Sequence, residues 1–458
     1  MAVLLELDGL LGAIRKQKIV QEISRYTFAG KAFLVGGAIR ELLLKKTPKD
    51  YDFALTRQED LQILEKAFGG SAFLLGKKPI QTYRIVTPDV SVDVTFLKGT
   101  IEDDLGRRDF TMNAIAYDVD RQEIIDCLGG IDDIRKRIIR YPKRTALVDD
   151  PLRMLKATRH FATLEGFSMD MELVRAIQEF KTMIHEVAPE RIKYETDQII
   201  VSDRAFEGIK MMERTGLLFE LFPDLFSLRK LDQEKGFVLE TYGHTMEGFR
   251  YITRWGRFYG LDDRGMRNTG YALLFHDLGK AHTYSRDDIK NVIHFFYHEK
   301  VSSDLATKIM DGLRFSSLDV RTVVKLIENH MRVFLISGNE STEKATRRLV
   351  YKMRDLTPSL LVLTMCDMYG SSGGSDNEST VQVRKRCDEV LDAYEEWRRE
   401  PLPRLITGHD LLTLGLAQGP SIGKVLEDIR EKQISGEFTG REEALTYAKN
   451  QVATLLSS

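Results

Sequence analysis

The chain has 458 residues, enough for about three domains. Its 67 Lys and Arg residues nearly balance 69 Asp and Glu residues, giving a formal net charge of −2 that excludes a uniformly basic nucleic-acid-binding surface. Three cysteines are too few for a disulfide framework or a thiolate zinc site. No apolar run approaches the ~20 residues needed to span a bilayer, and no cationic-then-apolar leader opens the chain. We therefore expect a cytoplasmic, multidomain protein without a membrane partner.

Strand patterns are confined to the first part of the chain. Lys31–Val35 is apolar and runs into two glycines, while Asp50–Leu55 and Val90–Phe96 alternate with a period of two. A helix is predicted for Ala38–Leu44, between the first two strands. These features predict a mixed α/β head.

Helical spacing of apolar residues replaces this pattern from about Val148, and strand patterns do not obviously return. Phe222-Pro223-Asp224 interrupts the helical part, and Gly370–Thr380 is predicted to be a flexible linker because it is small and polar. We expect an α+β multidomain fold with four parts: a head at 1–145, a helical neck at 146–225, a histidine-containing domain at 226–375 and a helical tail at 376–458.

Three aspartates of the head are candidate metal ligands. Asp50 and Asp52 lie two residues apart in a predicted strand, so they project from the same face. Asp93 lies on the polar face of a valine-rich strand, where a carboxylate is costly unless it faces a cation or a solvated cleft. A divalent cation relieves the repulsion between neighbouring carboxylates, and Mg²⁺ prefers oxygen ligands. The three side chains could form a two-metal catalytic site.

A glycine pair precedes these aspartates. Gly36 and Gly37 lie between a predicted strand and a predicted helix, where backbone N–H groups can approach a phosphate. Arg40 could add a bidentate contact to the same phosphate. A glycine pair or an Asp-x-Asp motif alone is a weak signal, but their order along the chain favours a phosphate and metal site.

Long motifs then resemble one family. LVGGAIRELLLKKTPKDYDFAL (Leu34–Leu55) and RRDFTMNAIAYD (Arg107–Asp118) are similar to motifs of the class II tRNA nucleotidyltransferase and bacterial poly(A) polymerase family, within the DNA polymerase β-like superfamily. Val148–Ala162 and Ala188–Glu195 resemble its third and fourth motifs, and Leu405–Leu445 resembles the tail of its longer bacterial members. The resemblance implies a polymerase β-like head with a small mixed sheet, an all-α neck and a tail that binds tRNA.

The resemblance also implies roles for single residues. Asp50 and Asp52 match the Mg²⁺-binding pair, and Asp93 looks like the third catalytic carboxylate. The implied nucleotide-binding positions are Gly36, Gly37, Arg40, Arg108, Asp109, Asn113, Asp150, Arg153, Lys156 and Arg159. Lys156 departs from the arginine usual in the family, and Glu41 replaces a usual aspartate, whereas Arg159 keeps the pattern.

Asp150 and Arg153 match the pair that reads the base. Cytosine and adenine each present an amine donor beside a ring-nitrogen acceptor, so a carboxylate and a guanidinium can pair with both. Uracil and guanine present the reverse pattern and would leave both side chains unpaired. Asp150 could also serve as a helix N-cap before Pro151, in addition to reading the base.

The connection between Asp93 and Arg107 is short, at thirteen residues. Family members that add the complete CCA end usually carry a longer flexible loop here. We therefore favour an enzyme that adds two cytidines from CTP, with full CCA addition from CTP and ATP second. A separate A-adding enzyme could then finish the tRNA.

A second set of residues resembles the HD-type metal phosphohydrolases. His276-Asp277 matches the signature, and the other expected ligand positions hold His244, Asp367, His298 and His330. The resemblance implies an HD domain that binds Mg²⁺ or a divalent transition metal through His244, His276, Asp277 and Asp367. His298 and His330 could hold a second metal. An accessory hydrolysis of phosphate at RNA ends is the activity this would support.

Alternative functions remain open at this point. A poly(A) polymerase would share the motifs, and a metal-dependent phosphohydrolase acting on RNA ends would need only the histidine set. A non-catalytic RNA-binding module is disfavoured because three acidic side chains facing one cleft repel RNA. Basic clusters at 131–144 and 346–354 and the glycine-rich turn Gly415–Gly423 fit either phosphate contacts or ordinary surface structure.

Overall fold

The structure, a computed structural model, describes residues 6–75, 82–87, 90–338, 343–400 and 402–457. The chain forms two compact units, the first comprising residues 1–196 and 211–221 and the second comprising residues 197–210 and 222–458. Its mixture of one larger sheet and many helices is the α+β class expected from the sequence. The four-part division is finer than these two units and remains a prediction.

One mixed sheet organises the first unit. Its strands are β1 (Ala32–Val35), β2 (Asp50–Leu55), β3 (Phe73–Leu75), β4 (Thr82–Val86), β5 (Ser91–Phe96), β6 (Ala116–Asp118) and β7 (Glu123–Ile125). Their order in the sheet is β3-β4-β5-β2-β1-β6-β7. Strands β2 and β5 run parallel, and the other neighbours run antiparallel. Strand β1 is buried throughout, because Ala-Phe-Leu-Val has no polar side chain to present to water.

Helices alternate with these strands and then follow them along the chain as far as Leu221. They are α1 (Leu7–Arg15), α2 (Lys18–Ile23), α3 (Gly37–Leu43), α4 (Leu61–Phe68), α5 (Ile101–Leu105), α6 (Gly130–Lys136), α7 (Ala146–Asp149), α8 (Arg153–Thr163), α9 (Met171–Phe180), α10 (Pro189–Ile200), α11 (Ala205–Thr215) and α12 (Leu217–Leu221). Two short strands, β8 (Ile138–Ile139) and β9 (Ser168–Met169), lie among the later helices. The helix predicted for Ala38–Leu44 is confirmed as α3, one residue earlier at each end.

The second unit is mainly helical. Its further elements are α13 (Pro223–Lys235), α14 (Tyr242–Phe258), α15 (Asp263–Phe275), α16 (Lys280–Thr283), β10 (Tyr284–Asp287), β11 (Val292–Phe295), α17 (His298–Gly312), α18 (Ser317–Asn329), α19 (Arg332–Leu335), α20 (Glu343–Met353), α21 (Thr357–Ser371), α22 (Glu378–Arg399), α23 (Gly408–Thr413), α24 (Pro420–Ile434) and α25 (Arg441–Ser457). None of the described helices combines the length and the apolar character that crossing a membrane requires.

The expectation that strands do not return after about residue 148 is wrong. Strand β9 pairs in parallel with β8, and β10 and β11 form an antiparallel hairpin. Sequence reasoning missed this hairpin because its strands, YSRD and VIHF, lack a clean alternation of polar and apolar residues.

The linker predicted at Gly370–Thr380 is wrong at both ends. Helix α21 continues to Ser371, and α22 begins at Glu378 behind a capping box made by Asn377 and Thr380. Gly370 is a helix-packing residue, because a Cβ at this position would overlap the backbone oxygen of His244. The absence of a side chain lets α21 approach α14 closely.

Candidate active site

The three candidate metal ligands of the head lie on neighbouring strands. Parallel pairing of β2 with β5 places Asp52 opposite Asp93, and Asp50 lies two residues earlier on the same strand. Asp50 is exposed whereas Tyr51 and Phe53 are buried, so the polar face of β2 opens to solvent. The face predicted from alternation is the face that carries the aspartates.

The turn between β1 and α3 packs directly on this face. Gly36 has φ +84°, and a Cβ at this position would lie 2.6 Å from Asp52 Oδ2 and 3.1 Å from an Arg108 guanidinium nitrogen. A residue with a side chain would therefore meet both a disfavoured backbone conformation and a clash. Glycine lets the turn, the carboxylate and the guanidinium meet at one point.

The electrostatics at Asp52 favour a bound cation. Burial raises the pKa of Asp52 to about 6, against the opposing effect of Arg108 and with a further rise from the negative charge of Asp93. A carboxylate that is costly to ionise in the protein alone is stabilised as an anion by a nearby metal ion. The oxygen-only donor set of Asp50 and Asp52 fits a hard divalent cation such as Mg²⁺.

Asp93 has a partner that sequence reasoning missed. Arg84 on β4 binds it in a bidentate ion pair, with Nε 2.7 Å from Oδ1 and Nη2 2.7 Å from Oδ2. The guanidinium fork matches both carboxylate oxygens. The sequence did not predict strand β4, so it gave no reason to expect Arg84 opposite β5.

Several predicted nucleotide-binding residues form one partly buried network. Arg40 Nη1 donates to Asn113 Oδ1 at 2.5 Å, and Asn113 Nδ2 donates to Asp109 Oδ1 at 2.9 Å. Lys156 Nζ lies 3.8 Å from Asp109 Oδ2. Burial alone would raise the pKa of Asp109, but Lys156 and the Asn113 hydrogen bond hold that pKa below its usual value. Burial also lowers the pKa of Arg40, whose Nε has no hydrogen-bond partner among the described atoms.

The short connection after β5 is an ordered helix. Thr100 and Asp103 form a capping box at the start of α5. Asp104 on this helix holds Arg108 through an ion pair of 3.0 Å. The connection therefore orients Arg108 beside the aspartate face.

The two residues predicted to read the base contact the protein itself. Asp150 Oδ2 accepts a hydrogen bond from Arg191 Nη2 at 2.9 Å. Arg153 donates to the backbone oxygens of Arg107 at 2.7 Å and Ala146 at 3.1 Å. Both side chains are thus held in place before a nucleotide is bound.

Helix α8 presents its positive residues on one face. Arg153, Lys156 and Arg159 follow one another at three-residue spacing and are partly exposed. Arg159 Nε donates to Glu195 Oε2 of α10 at 2.6 Å. Arg191 and Glu195 lie in the fourth motif, so the sequence held a signal for them, although no role was assigned to either residue.

The six predicted HD residues converge at one point of the second unit. His244 Nε2 lies 3.1 Å from His276 Nε2, and His298 Nε2 lies 3.3 Å from His330 Nε2. Asp277 lies between the two pairs, with Oδ2 2.9 Å from His244 and Oδ1 3.3 Å from His298. We call these five residues together with Asp367 the histidine centre.

Backbone contacts aim the imidazoles of the histidine centre. His276, His298 and His330 each donate Nδ1–H to the backbone oxygen three residues earlier, at 2.8, 2.9 and 2.7 Å. This contact orients each Nε2 toward the centre, where a neutral ring presents the lone pair of that nitrogen. Burial lowers the pKa of both His276 and His330 to about 4, so both rings are neutral near pH 7.

The geometry of the histidine centre fits a divalent metal. Among the described residues, His244, His276 and Asp367 form one group of candidate ligands within 4.8 Å, and His276, Asp277 and His330 form another. Two nitrogens bound at ~2.1 Å and at a right angle would lie ~3 Å apart, which matches the observed Nε2 separations. Lys280 Nζ lies 2.6 Å from Asp277 Oδ2 and partly offsets its charge.

Family models match three parts of the chain. Residues 32–140 match the poly A polymerase head domain, residues 166–228 match a probable RNA- and SrmB-binding site of polymerase A, and residues 241–369 match the HD domain. The order of these matches follows the order of the motifs.

Curated relatives match nearly the whole chain. The CC-adding tRNA nucleotidyltransferase of Thermus thermophilus is 32% identical over 427 residues, covering 91% of this chain and 92% of the relative. The A-adding tRNA nucleotidyltransferase of Deinococcus radiodurans is 31% identical over 430 residues, covering 92% of this chain and 96% of the relative.

Solved structures share the fold at low sequence identity. A CCA-adding enzyme in complex with CTP has a TM-score of 0.66 at 18% identity and covers all of both chains. The Thermotoga maritima CCA-adding enzyme in complex with tRNA has a TM-score of 0.62 at 18% identity, covering 99% of this chain and 100% of that one. Sequence relatives, fold and motif order agree, and the chain belongs to the tRNA nucleotidyltransferase family of enzymes.

Proposed function

We propose that this protein adds two cytidines to the 3′ end of tRNA from CTP and then stops, releasing pyrophosphate and using no nucleic-acid template. The observation that carries the proposal is the connection between Asp93 and Arg107, whose thirteen residues comprise the end of β5, residues 97–100, the short helix α5 and Gly106. A connection of this length has no room for the longer loop expected of enzymes that add the full CCA end. The CC-adding relative from Thermus thermophilus supports the same activity.

The proposed reaction is attack of the tRNA 3′ hydroxyl on the α-phosphorus of CTP, with pyrophosphate as the leaving group. Asp50 and Asp52 would hold Mg²⁺, which when bound lowers the pKa of the attacking hydroxyl and stabilises negative charge. The backbone at Gly36 and Gly37 and the guanidinium of Arg40 bind the triphosphate. Arg40 is positioned for this by its hydrogen bond to Asn113.

Base selection falls to Asp150 and Arg153. The Asp150 carboxylate accepts from the exocyclic amine of cytosine, and Arg153 donates to the ring nitrogen. Arg191 holds Asp150 through a hydrogen bond of 2.9 Å, so the carboxylate is oriented in advance. A base with the reverse donor pattern would leave both side chains unpaired, which is costly away from water.

A basic cavity supports tRNA binding by the last part of the chain. Its volume is about 880 Å³, and its lining includes Lys325, Lys352, Arg354, Arg404 and Arg430 beside two glutamates. Burial lowers the pKa of Lys325 and of Lys352, and neighbouring arginines lower both further. Unbalanced positive charge of this kind attracts a phosphate backbone.

Sequencing of reaction products tests the number of nucleotides added. A tRNA transcript that lacks its CCA end is incubated with the protein, CTP and ATP, and a variant with Asp50→Asn and Asp52→Asn serves as the control. We expect transcripts ending in CC from the wild-type protein and unchanged transcripts from the control. A terminal adenosine on most molecules would overturn the two-cytidine proposal in favour of full CCA addition, and a long adenosine run would favour a poly(A) polymerase.

A second candidate function is the addition of a single adenosine, which the A-adding relative supports. A transcript that already ends in CC, incubated with ATP alone, distinguishes the two activities. We expect no extension, because we propose that a separate A-adding enzyme completes the end in the cytoplasm. Extension by one adenosine would assign this protein to the A-adding group instead.

We also propose that the histidine centre binds Mg²⁺ or a divalent transition metal and serves an accessory phosphohydrolase. The converging Nε2 atoms of His244, His276, His298 and His330 support it. Metal analysis of the purified protein and of His276→Ala tests the binding, and equal metal content would contradict it. A protein that is only a phosphohydrolase would be indicated by RNA-end hydrolysis without any nucleotide addition.

A further inference from the structure

The hairpin of β10 and β11 leads directly into the histidine centre. The backbone oxygen of Phe295, the last residue of β11, accepts a hydrogen bond from His298 Nδ1 at 2.9 Å. Only Phe296 and Tyr297 separate that residue from His298. Phe296 and Tyr297 therefore directly precede a histidine of the centre in the chain.

These two aromatic rings face water to an unusual degree. The side chain of Phe296 is 62% exposed and that of Tyr297 is 76% exposed. Phe296 stacks on His294 with ring centroids 4.7 Å apart and an interplanar angle of 15°. The stack holds Phe296 flat without burying it, so one ring face stays open.

The backbone at Tyr297 is strained for a large residue. Its φ of +59° and ψ of 23° are left-handed, at the N-cap of α17. Bulky aromatic residues rarely adopt this conformation, which glycine and asparagine adopt more easily. The described hydrogen bonds of Tyr297 are made by its backbone oxygen, which accepts from Lys300 N at 3.1 Å and from Val301 N at 3.3 Å, and none of them involves its side chain.

We propose that Phe296 and Tyr297 form a stacking platform for the last base of a single-stranded RNA 3′ end, whose terminal phosphate enters the histidine centre. Aromatic side chains bind any base by stacking on its π-face, without selecting its sequence. The proposal rests on the proposed metal-binding role of the centre and defines its substrate as an RNA end with a terminal phosphate.

The surroundings favour RNA over a protein partner. Lys280 lies over the ring of Phe295 at 5.3 Å and Lys235 over the ring of Tyr284 at 4.7 Å, so cations flank the base of the hairpin. His298, whose Nε2 lies 3.3 Å from His330 Nε2 and 3.3 Å from Asp277 Oδ1, follows directly after Tyr297. Binding of a nucleotide end requires a metal ion for the phosphate and, beside it, an aromatic ring on which the base can stack.

Binding of a fluorescent dinucleotide tests the platform. The probe is a ribodinucleotide with 2-aminopurine as its last base and a 3′-phosphate, titrated with full-length protein in Mg²⁺; stacking quenches its fluorescence. We expect Phe296→Ala and Tyr297→Gly each to weaken binding about tenfold. Ile289→Ala, at the hairpin tip where Ile289 is 97% exposed, is the matched control and should bind as the wild type does. His276→Ala should abolish the quenching, which localises the signal to the centre.

The melting temperature separates stacking from a structural role. Glycine relieves the left-handed strain, so Tyr297→Gly should melt at the same or a higher temperature while it binds the probe less tightly. A lower melting temperature with lost metal would mean that Tyr297 is structural and would overturn the proposal.

Two other outcomes would also overturn it. The first is that both aromatic variants bind the probe with wild-type affinity. The second is that these variants change their oligomeric state while probe binding stays intact, which would show that the rings form a protein contact. Nucleotide addition to tRNA is measured separately, so failure of the platform is distinguishable from failure of the proposed polymerase. If His276→Ala bound as much metal as the wild type, the histidine centre would not be the metal site, and the platform proposal that depends on it would fail.

Discussion

Gly36 shows how one residue fixes the geometry around the predicted nucleotide-binding residues. Its left-handed backbone brings the β1–α3 turn against Asp52 and Arg108. Those two side chains are electrostatically linked, since burial raises the pKa of Asp52 and the charge of Arg108 lowers it. The carboxylate, the guanidinium and the turn therefore depend on a position without a side chain.

Gly36→Ala should damage catalysis more than folding. The new Cβ would lie 2.6 Å from Asp52 Oδ2 in a disfavoured conformation, and we expect a loss of about tenfold or more in nucleotide addition from ~1–2 kcal/mol of strain. Gly12→Ala is the control, because Gly12 lies in α1 and a Cβ added there would have nothing within 4 Å. Single-turnover incorporation of CMP measures both, and equal rates for the two variants would contradict the prediction.

His160 predicts a dependence of stability on pH. The ring is 4% exposed, and burial lowers its pKa well below the usual value, with Arg159 and Arg40 adding to the effect. The unfolded chain takes up a proton below about pH 6.5, whereas the folded ring does not, so the free energy of unfolding should fall as the pH decreases. The slope approaches about 1.4 kcal/mol per pH unit.

His160→Gln removes this titration and isolates its contribution. Denaturant unfolding of both proteins between pH 7.5 and pH 5 should give a steeper loss of stability for the wild type than for the variant. Parallel curves would show that the folded protein takes up a proton at His160 as readily as the unfolded chain does, which would contradict the prediction.

Individual elements differ in how well the sequence predicts them. Strands β1, β2 and β5 are predicted because each has a buried apolar face, whereas β4 and the β10–β11 hairpin have no such pattern. The missed strand β4 carries Arg84, so the ion pair with Asp93 was missed with it. The motifs predict the aspartates and the histidines, but a contact between strands needs the sheet order.

Gly370 illustrates a second limit of predicting elements from sequence, because a glycine can belong to a helix contact rather than to a linker. A small residue beside serines and glycines is typical of a linker, yet Gly370 lies in α21 against α14. Gly248 on α14 is the matching small residue, since a Cβ there would lie 3.0 Å from the backbone oxygen of Cys366. One turn away from these glycines, His244 and Asp367 come within 3.5 Å. The close crossing of the two helices therefore builds part of the histidine centre.

Gly370→Ala should separate the two helices and weaken the centre. Its Cβ would overlap the backbone oxygen of His244 and lie 2.9 Å from the backbone nitrogen of Gly248, and backbone atoms cannot rotate away. We expect a loss of ~1–3 kcal/mol in stability, typical of an overpacked core, together with reduced metal content. Gly312→Ala, with nothing within 4 Å of the added Cβ, is the control for thermal unfolding and metal analysis. Full metal content at wild-type stability would contradict the role of this crossing.

At the scale of the whole molecule, each centre draws its described residues from one compact unit. The aspartate face lies in the first unit, and the histidine centre lies in the second. Motif order along the chain predicted both sets of residues, because each motif carries its own chemistry. Boundaries between units were harder to predict, since residues 197–210 join the second unit across an intervening segment of the first.

Substitutions in one centre should therefore leave the other intact. Asp52→Asn keeps the shape of the side chain but removes its charge, and we expect at least a ~100-fold loss of CMP addition, because stabilisation by a metal ion contributes several kcal/mol. Metal bound at the histidine centre should stay at the wild-type level in this variant. His276→Ala should lose that metal and keep the rate of CMP addition. Both readouts are measured on the same preparations, and a joint loss in either variant would show that the two centres act together, since neither takes a described ligand from the other unit.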